Sequence, residues 1–349
     1  MNKVKVGIIF GGNSSEYEIS LHSVCSVLKY IDQDKYDVIK VGITANGDWY
    51  LYEGDIESID NNTWFKKEVS KCIFSPSVSD SGLYVIKNNK LEKLTLDIVF
   101  PVLHGKNGED GTIQGLFELA QIPYVGCNVL SSSACMDKEY SHIICENAGI
   151  KMAKYKAYFN NQLTKSETEY KQIINELGNV VFIKPANAGS SFGVSKVTNY
   201  EEYVVAVDYA FKHDKKILIE ECILGNEIGV AVLGDEELIV GMPDEIVTGK
   251  SFFDFEGKYK MDNTVINCPA HISENKIKEV QELAKKVFKA MNCSGICRID
   301  FFLSDDVFYL NELNTIPGFT NASRYPTMIK KVGYDFTQLI TYLIDHKLA

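Results

Sequence analysis

Short apolar runs alternate with polar, glycine-bearing stretches along this chain, and their spacing sets the predicted elements. Residues 4–10 (Val-Lys-Val-Gly-Ile-Ile-Phe) form a strand-like run that stops at Gly11-Gly12. Ser15, with Glu18 three positions on, predicts a helix start with a capping box. Further strands are predicted at 38–44, 97–103 and 122–125, with a helix at 112–120. Strands alternating with helices imply an N-terminal doubly wound α/β domain with a parallel sheet. Residues 48–92, mixed in Asn, Asp, Ser and Lys, read as hairpins or loops lying over that sheet.

The pattern then changes. A helix at 138–148 ends at Gly149, and a smaller α+β section carries strands at 180–184 and 216–220. Strands follow at 227–233 and 238–242. An amphipathic helix at 276–291 places Ile277, Val280, Leu283, Val287 and Met291 along one side. Strands at 297–303 and 307–314 form a hairpin about Ser304-Asp305-Asp306. Three domains are expected, 1–126, 127–221 and 222–349, packed around shared clefts without long linkers.

Charge narrows the partners. Against 36 Lys+Arg stand 47 Asp+Glu, a formal net charge of -11, which argues against nucleic acid or an anionic membrane surface. The 9 cysteines are scattered, with no CxxC pair, and read as buried free thiols of a reducing compartment. No stretch approaches about 20 apolar residues, and the first run is too short for a signal peptide, so a cytoplasmic protein is expected.

The strongest chemical constellation lies in the C-terminal hairpin. Arg298 and Asp300, two apart, share one face of a strand, and Glu312 and Asn314 do the same on the next. Two carboxylates and an amide oxygen suit Mg²⁺, which takes hard oxygen ligands and shares them with phosphates. An adjacent arginine could meet a phosphoryl oxygen or a developing oxyanion. Phe308 and Leu310 are expected on that same face, where they could flank a nucleotide base. From spacing alone a solvated polar face of an edge hairpin stands equally open.

Three loops add to this. A strand ends at Lys184 and runs into Pro-Ala-Asn-Ala-Gly-Ser-Ser-Phe-Gly (185–193), a loop able to offer N–H groups and hydroxyls to phosphate, though not a Walker A sequence. Phe-Gly-Gly-Asn-Ser-Ser-Glu (10–16) is a strand-to-helix turn without GxGxxG spacing, in which Glu16 would suit an ammonium group. His-Gly-Lys-Asn-Gly-Glu-Asp-Gly (104–111) follows a buried strand, where α/β sheets bind ligands. Each has a plain alternative: a flexible hairpin loop, helix capping and a surface loop, respectively.

Taken in register, these segments resemble the D-alanine–D-alanine ligase family, including its vancomycin-resistance members. Met-Asp-Lys (136–138), Phe-Phe-Asp-Phe-Glu-Gly-Lys-Tyr (252–259) and Asn-Glu-Leu-Asn-Thr-Ile-Pro-Gly-Phe-Thr (311–320) complete the match over nearly the whole chain. The resemblance implies a three-domain ATP-grasp fold and an ATP-dependent ligase with two Mg²⁺ ions, or Mn²⁺, held by Asp300, Glu312 and Asn314. Lys138 and Lys184, with Ser190 and Ser191, would contact ATP phosphates. Glu220, Glu221 and Ile223 would line the adenine site, and Glu227 would hold the ribose. Glu16 would fix the first D-alanine's ammonium, with His104 nearby. Arg298 and the Gly318 backbone would stabilise a tetrahedral intermediate, and Ser323 would bind the second substrate's carboxylate. Lys258 and Tyr259 would ride on a lid, Tyr259 meeting Glu16 and Ser190 on closure. The resemblance further suggests a homodimer serving peptidoglycan precursor synthesis.

One departure bears on the second substrate. Arg324 stands where these ligases usually carry an apolar residue, Ala322 where histidine is common, and Phe253 where tyrosine is common. Arg324 with Phe253 is similar to the D-alanine–D-serine ligases of the VanG kind, and Asp244 matches an acid of that group that could orient Arg324. D-serine is therefore the expected second substrate, with D-alanine as the alternative. A nucleotide-binding regulator on the same fold would be expected to lack the metal and arginine positions, which are all present. A surface arginine pairing with any acid is the plain reading of Arg324.

Overall fold

The structure, a computed structural model, describes residues 3–248 and 264–349. Phe253, Lys258 and Tyr259 lie outside the described residues.

The first section runs β1 (Val4–Gly11), α1 (Tyr17–Tyr30), β2 (Tyr36–Ile43), β3 (Trp49–Tyr52), α2 (Ile56–Asp60), β4 (Val69–Phe74), β5 (Gly82–Lys87), β6 (Lys90–Thr95) and β7 (Ile98–Val102). They make one sheet, ordered β6-β5-β4-β3-β2-β1-β7. β1 lies parallel between β2 and β7. β7 is buried along its whole length, as a strand covered on both faces must be. The stretch 48–92 does not lie over this sheet. β3 to β6 extend it edge-on as an antiparallel meander. Their alternating burial is hard to see because the outer strand, Lys-Leu-Glu-Lys-Leu-Thr, is polar almost throughout. That charge also blunts the free sheet edge against further pairing. The run predicted at 122–125 contributes only a bridge between Tyr124 and Val99. The helix after β1 begins at Tyr17, with Glu16 as N-cap and no side-chain cap bond, so the Ser15–Glu18 capping box does not form.

Helices α3 (Thr112–Ala120), α4 (Val129–Met136) and α5 (Lys138–Asn147) lead into the second section. Asp137 caps α5 by accepting from the N–H groups of Glu139 and Tyr140, which sets Lys138 as the first helical residue. Then come β8 (Tyr155–Phe159), α6 (Glu167–Leu177), β9 (Val181–Pro185), β10 (Ser195–Val197), α7 (Tyr200–Ala210) and β11 (Lys216–Glu221). The four strands form an antiparallel sheet, β10-β9-β11-β8. Its apolar face packs on α6 and α7 through Ile173, Ile183, Val207 and Ile219, a core separate from the others.

The third section holds β12 (Asn226–Gly234), β13 (Leu238–Val240), β14 (Asp244–Thr248), β15 (Thr264–Asn267), α8 (Glu274–Ala290), β16 (Gly295–Ser304), β17 (Val307–Asn314), α9 (Arg324–Lys330) and α10 (Phe336–Leu348). The sheet order is β15-β14-β12-β16-β17, with β13 beside β12. α8, capped by Ser273, buries Val280, Ala284, Val287 and Phe288 on that sheet. α10 turns the other way. Leu339, Ile340, Leu343 and Ile344 share one core with Val6, Ile8 and Val24, so the first and last thirds of the chain are packed as one body. No helix among the described residues is long and apolar enough to cross a membrane.

The second sheet also buries charge. Lys184 Nζ lies 2.5 Å from Glu220 Oε2, and His142 Nε2–H donates to Glu220 Oε1 at 3.1 Å. Burial alone would raise the Glu220 carboxyl, but Lys184 and His142 outweigh it and hold the group down at about 2. A depressed folded value means stability that is present above the ordinary 4.5 and is lost as pH falls toward 2.

Two outcomes are expected. In Glu220→Gln, the stability gap to the wild type, measured by denaturant titration, should narrow as pH drops from about 5 to 3. A gap that stays constant would mean that the carboxylate is not held ionised. Leu339→Ala should cost about 2–5 kcal/mol. Its unfolding, followed by probes in the first and last thirds, should move both transitions together; a shift confined to one would contradict a shared core.

Candidate active site

β16 and β17 pair so that Arg298 faces Asn314 and Asp300 faces Glu312, which brings the four predicted polar residues onto one face. Asp300 is fully buried. Arg298 Nε donates to both of its oxygens at 3.0 Å, Arg298 Nη2 to Oδ2 at 2.8 Å, and Asn314 Nδ2 to Oδ2 at 3.0 Å. Phe308 and Leu310 are not on this face. The register slips between Asp300 and Phe301, so that Phe301 pairs with Leu310. A bulge of this kind shifts the side-chain alternation by one residue. It sends Phe308 and Leu310 into the core beside Ile299 and Phe301 while Glu312 and Asn314 stay with Asp300.

Glu312 and Asn314 of this face line a cleft whose other residues include Lys138, Ala188, Gly189 and Glu109. No three His, Cys, Asp or Glu side chains among the described residues converge as a ready-made metal cage. The two carboxylates and one amide fit a cation of the magnesium kind, which takes one or two protein carboxylates and completes its shell with phosphate and water. Lys138 lines the same cleft. Its Nζ donates to the Ala188 carbonyl at 2.7 Å, so the lysine leans on the glycine-serine loop. Ser190 and Ser191 in that loop take φ of 50° and 58°, the left-handed region that few serines occupy. Strain of this kind is held by surrounding contacts and gathers at sites of function.

Ser190 Oγ–H donates to Glu16 Oε1, which joins the loop to the N-terminal section. Glu16 is buried. Gly105 approaches it so closely that a Cβ there would stand 2.3 Å from Glu16 Oε2, and its φ of +72° already favours glycine. His104 is also buried. Its Nδ1 lies 2.8 Å from the Ile316 carbonyl, which can only accept, so Nδ1 carries the proton. Burial pushes the imidazole below its usual range, against the pull of Glu16, so the ring is neutral and its Nε2 accepts from Ser23 Oγ at 2.9 Å. Ser23 Oγ in turn accepts from Phe319 N–H at 3.5 Å, which fixes the loop carrying Gly318.

Arg324, half of a predicted pair, is not a surface residue. It opens α9, with Ser323 as the N-cap residue, and its side chain is only 12% exposed. Nε and Nη2 donate to Asp244 at 2.8 and 2.7 Å, Nη1 donates to Glu227 Oε1 at 2.8 Å, and Nη2 lies 3.5 Å from Asp300 Oδ1. Asp244 is fully buried. Ser323 Oγ accepts from Thr320 N–H at 3.0 Å, so it turns back over the loop after Gly318. Ala322 beside it is exposed.

The residues predicted around adenine lie at the end of β11 and just after it. Glu220 is occupied by Lys184 and His142, whereas Glu221 Oε1 accepts from Lys154 N–H at 2.7 Å and Ile223 is half-buried in the connection to β12. Glu227, predicted beside the ribose, is also the partner of Arg324.

Two contributors were given no role of their own from the sequence. Glu109 accepts from the N–H groups of Gly105 and Ile316, both at 2.8 Å, and so ties the 104–111 loop to the one before Gly318. Burial and the nearby Glu16 push its carboxyl up to about 8. The only available signal was an acid in a glycine-rich loop at a strand end. Lys216 is buried between Asp137 and Glu139, at 2.8 and 2.7 Å, and braces the start of α5; it had no signal beyond a lysine opening a strand.

Comparison with known proteins gives this geometry its family. Residues 5–127 match the model described as D-ala D-ala ligase N-terminus, and 144–345 the one described as D-ala D-ala ligase C-terminus. A D-alanine–D-alanine ligase of Caldicellulosiruptor bescii is 42% identical over 99% of this chain and 95% of its own length. That of Clostridium acetobutylicum is 44% identical over 98% and 97%. Among solved structures, the VanG D-Ala:D-Ser ligase from Enterococcus faecalis has TM-score 0.91 and 45% identity, covering 99% of this chain and 100% of that one. The D-alanine–D-alanine ligase from Bacillus anthracis complexed with ATP has TM-score 0.73 and 26% identity, covering 99% and 97%. Both matched halves, the geometry of the cleft and these relatives lead to one conclusion: the chain belongs to the D-alanine–D-alanine ligase family and is a ligase with its ATP-grasp fold.

Proposed function

We propose that this ligase joins D-alanine to D-serine through a D-alanyl phosphate, using ATP and two Mg²⁺ ions, to make a peptidoglycan precursor. The observation that carries the choice of D-serine is the buried guanidinium of Arg324, held by two bonds to Asp244 at 2.8 and 2.7 Å behind the Ser323 turn. An apolar pocket offers a substrate hydroxyl nothing, whereas a fixed charged donor adds about 1–3 kcal/mol through one hydrogen bond. The VanG likeness at 45% identity supports the same reading. The second reading, D-alanine as second substrate, is favoured by the names of the relatives at 42% and 44% identity.

Bound ATP supplies the phosphoryl group that turns a carboxylate into an electrophile, and Mg²⁺ neutralises the charge of its transfer. The protein's part is positioning and charge. Lys138 and Lys184, with the hydroxyls of Ser190 and Ser191, would hold the phosphates. Asp300, Glu312 and Asn314 would hold the metal. Glu220, Glu221 and Ile223 would flank the adenine, and Glu227 the ribose. Glu16 would take the ammonium of the first D-alanine beside the neutral His104. Arg298 and the Gly318 N–H would receive the negative charge that develops on the attacked carbonyl. Ser323 would take the carboxylate of the second substrate. Phe253, Lys258 and Tyr259 complete the proposal as part of a lid that keeps water from the acyl phosphate. The three domains are proposed at 1–126, 127–221 and 222–349, in a cytoplasmic homodimer. A role in vancomycin resistance follows if D-serine is the second substrate.

With ATP, Mg²⁺ and equal D-alanine and D-serine, phosphate release should accompany a dipeptide that mass spectrometry identifies mainly as D-alanyl-D-serine. Mainly D-alanyl-D-alanine would establish the second reading instead. Arg324→Leu should lower the D-serine to D-alanine product ratio about tenfold, the scale of one charged hydrogen bond; an unchanged ratio would remove Arg324 from the pocket.

A further inference from the structure

We propose that Gly229 is the residue that permits an inward arginine at position 324, and so sets the second-substrate specificity from beneath the pocket. The proposal rests on the D-serine reading above. Gly229 lies in the middle of the third sheet, opposite Asp244 on β14 and opposite Asp300 on β16. Arg324 pairs with both of those acids, and with Glu227 two residues earlier on the same strand. Its guanidinium therefore lies over Gly229, ringed by three carboxylates.

A Cβ at 229 would stand 2.3 Å from Arg324 Nη2, 2.5 Å from Asp244 Oδ1 and 3.1 Å from Arg324 Cζ. The end of a long side chain can usually step aside. This one is fixed at Nε, Nη1 and Nη2, by Asp244 and Glu227, so moving it breaks the bonds that define its position. The Asp244 carboxylate is pinned as well, since Oδ1 also accepts from Gly229 N–H at 3.2 Å. Backbone conformation gives no reason for glycine here. Gly229 is not among the positive-φ residues, and glycine weakens a central strand. What the position requires is the space. The pair 229 and 324 thus acts as one specificity element, with glycine beneath arginine and a larger residue compatible only with a short or apolar partner.

The test compares the wild type, Gly229→Ala, Arg324→Leu and the double variant. Each is assayed for the ratio of D-alanyl-D-serine to D-alanyl-D-alanine from equal D-serine and D-alanine, and for its thermal midpoint. Gly229→Ala should lower the ratio about tenfold, to the level of Arg324→Leu, and the double variant should fall no further. The midpoint should drop by a few degrees when Gly229→Ala is made in the wild type, and by clearly less in the Arg324→Leu background, where only the contact with Asp244 Oδ1 remains; an equal drop in both backgrounds would mean that residue 229 is not the seat of Arg324. A Gly229→Ala enzyme with the wild-type ratio, or a double variant in which the two losses add, overturns the proposal. If the wild type makes mainly D-alanyl-D-alanine, the D-serine reading fails; if it makes D-alanyl-D-serine and Arg324→Leu leaves the ratio unchanged, Arg324 does not set the choice and the specificity claim fails by itself. The midpoints then still decide whether residue 229 is the seat of Arg324.

Discussion

A carboxylate sealed from water among arginines is the constraint around which this site is arranged. Asp300 has no exposed surface, and removing one partner from a buried ion pair costs about 3–5 kcal/mol. Its partners come from the same strand, the next strand and, at 3.5 Å, the helix that Arg324 opens. Meeting that demand fixes Arg298 against the hairpin and draws Arg324 inward. Beside it, the slip in register keeps Glu312 and Asn314 on the polar side. Much of what surrounds the cleft on this side follows from keeping one charge satisfied.

The N-terminal side obeys a related rule with opposite chemistry. Here a neutral imidazole and a carboxyl raised to about 8 serve as struts between loops. His104 reaches the Ile316 carbonyl and Glu109 reaches the Ile316 N–H, so both backbone groups of one residue are fixed from the same loop. The Gly318 turn is therefore placed by residues more than two hundred positions earlier in the chain. The loops that meet at the cleft are connected to one another as well as to their own sheets.

Periodicity made the parallel core of the first sheet and the C-terminal hairpin legible, because both are long runs with one strong repeat. It failed where the repeat was weak or broken. The strands β3 to β6 went unseen as sheet because an edge strand wears polar residues on both faces, as Lys90 to Thr95 do. Phe308 and Leu310 were placed on the wrong face because a bulge leaves no mark in the alternation except two consecutive polar residues, Asn311 and Glu312. Ser15 and Glu18 have the spacing of a capping box, yet Glu16 is engaged by Ser190 and the helix begins later. The seven segments in register identified the family, but the partnership of Arg324 with Glu227 depends on strands brought together only by the fold.

The distribution of the cores has a mechanical meaning. The first and last thirds are fused through α10, while β8 to β11 with α6 and α7 close on a core of their own. A chain packed this way has a frame and one arm, each with its own core. The arm carries Lys184 and Ser190, and the frame carries Glu16, Asp300 and Arg324. The bond between Ser190 and Glu16 is then a seam between two separately packed bodies, and a shift of one against the other would have to break it without opening either core.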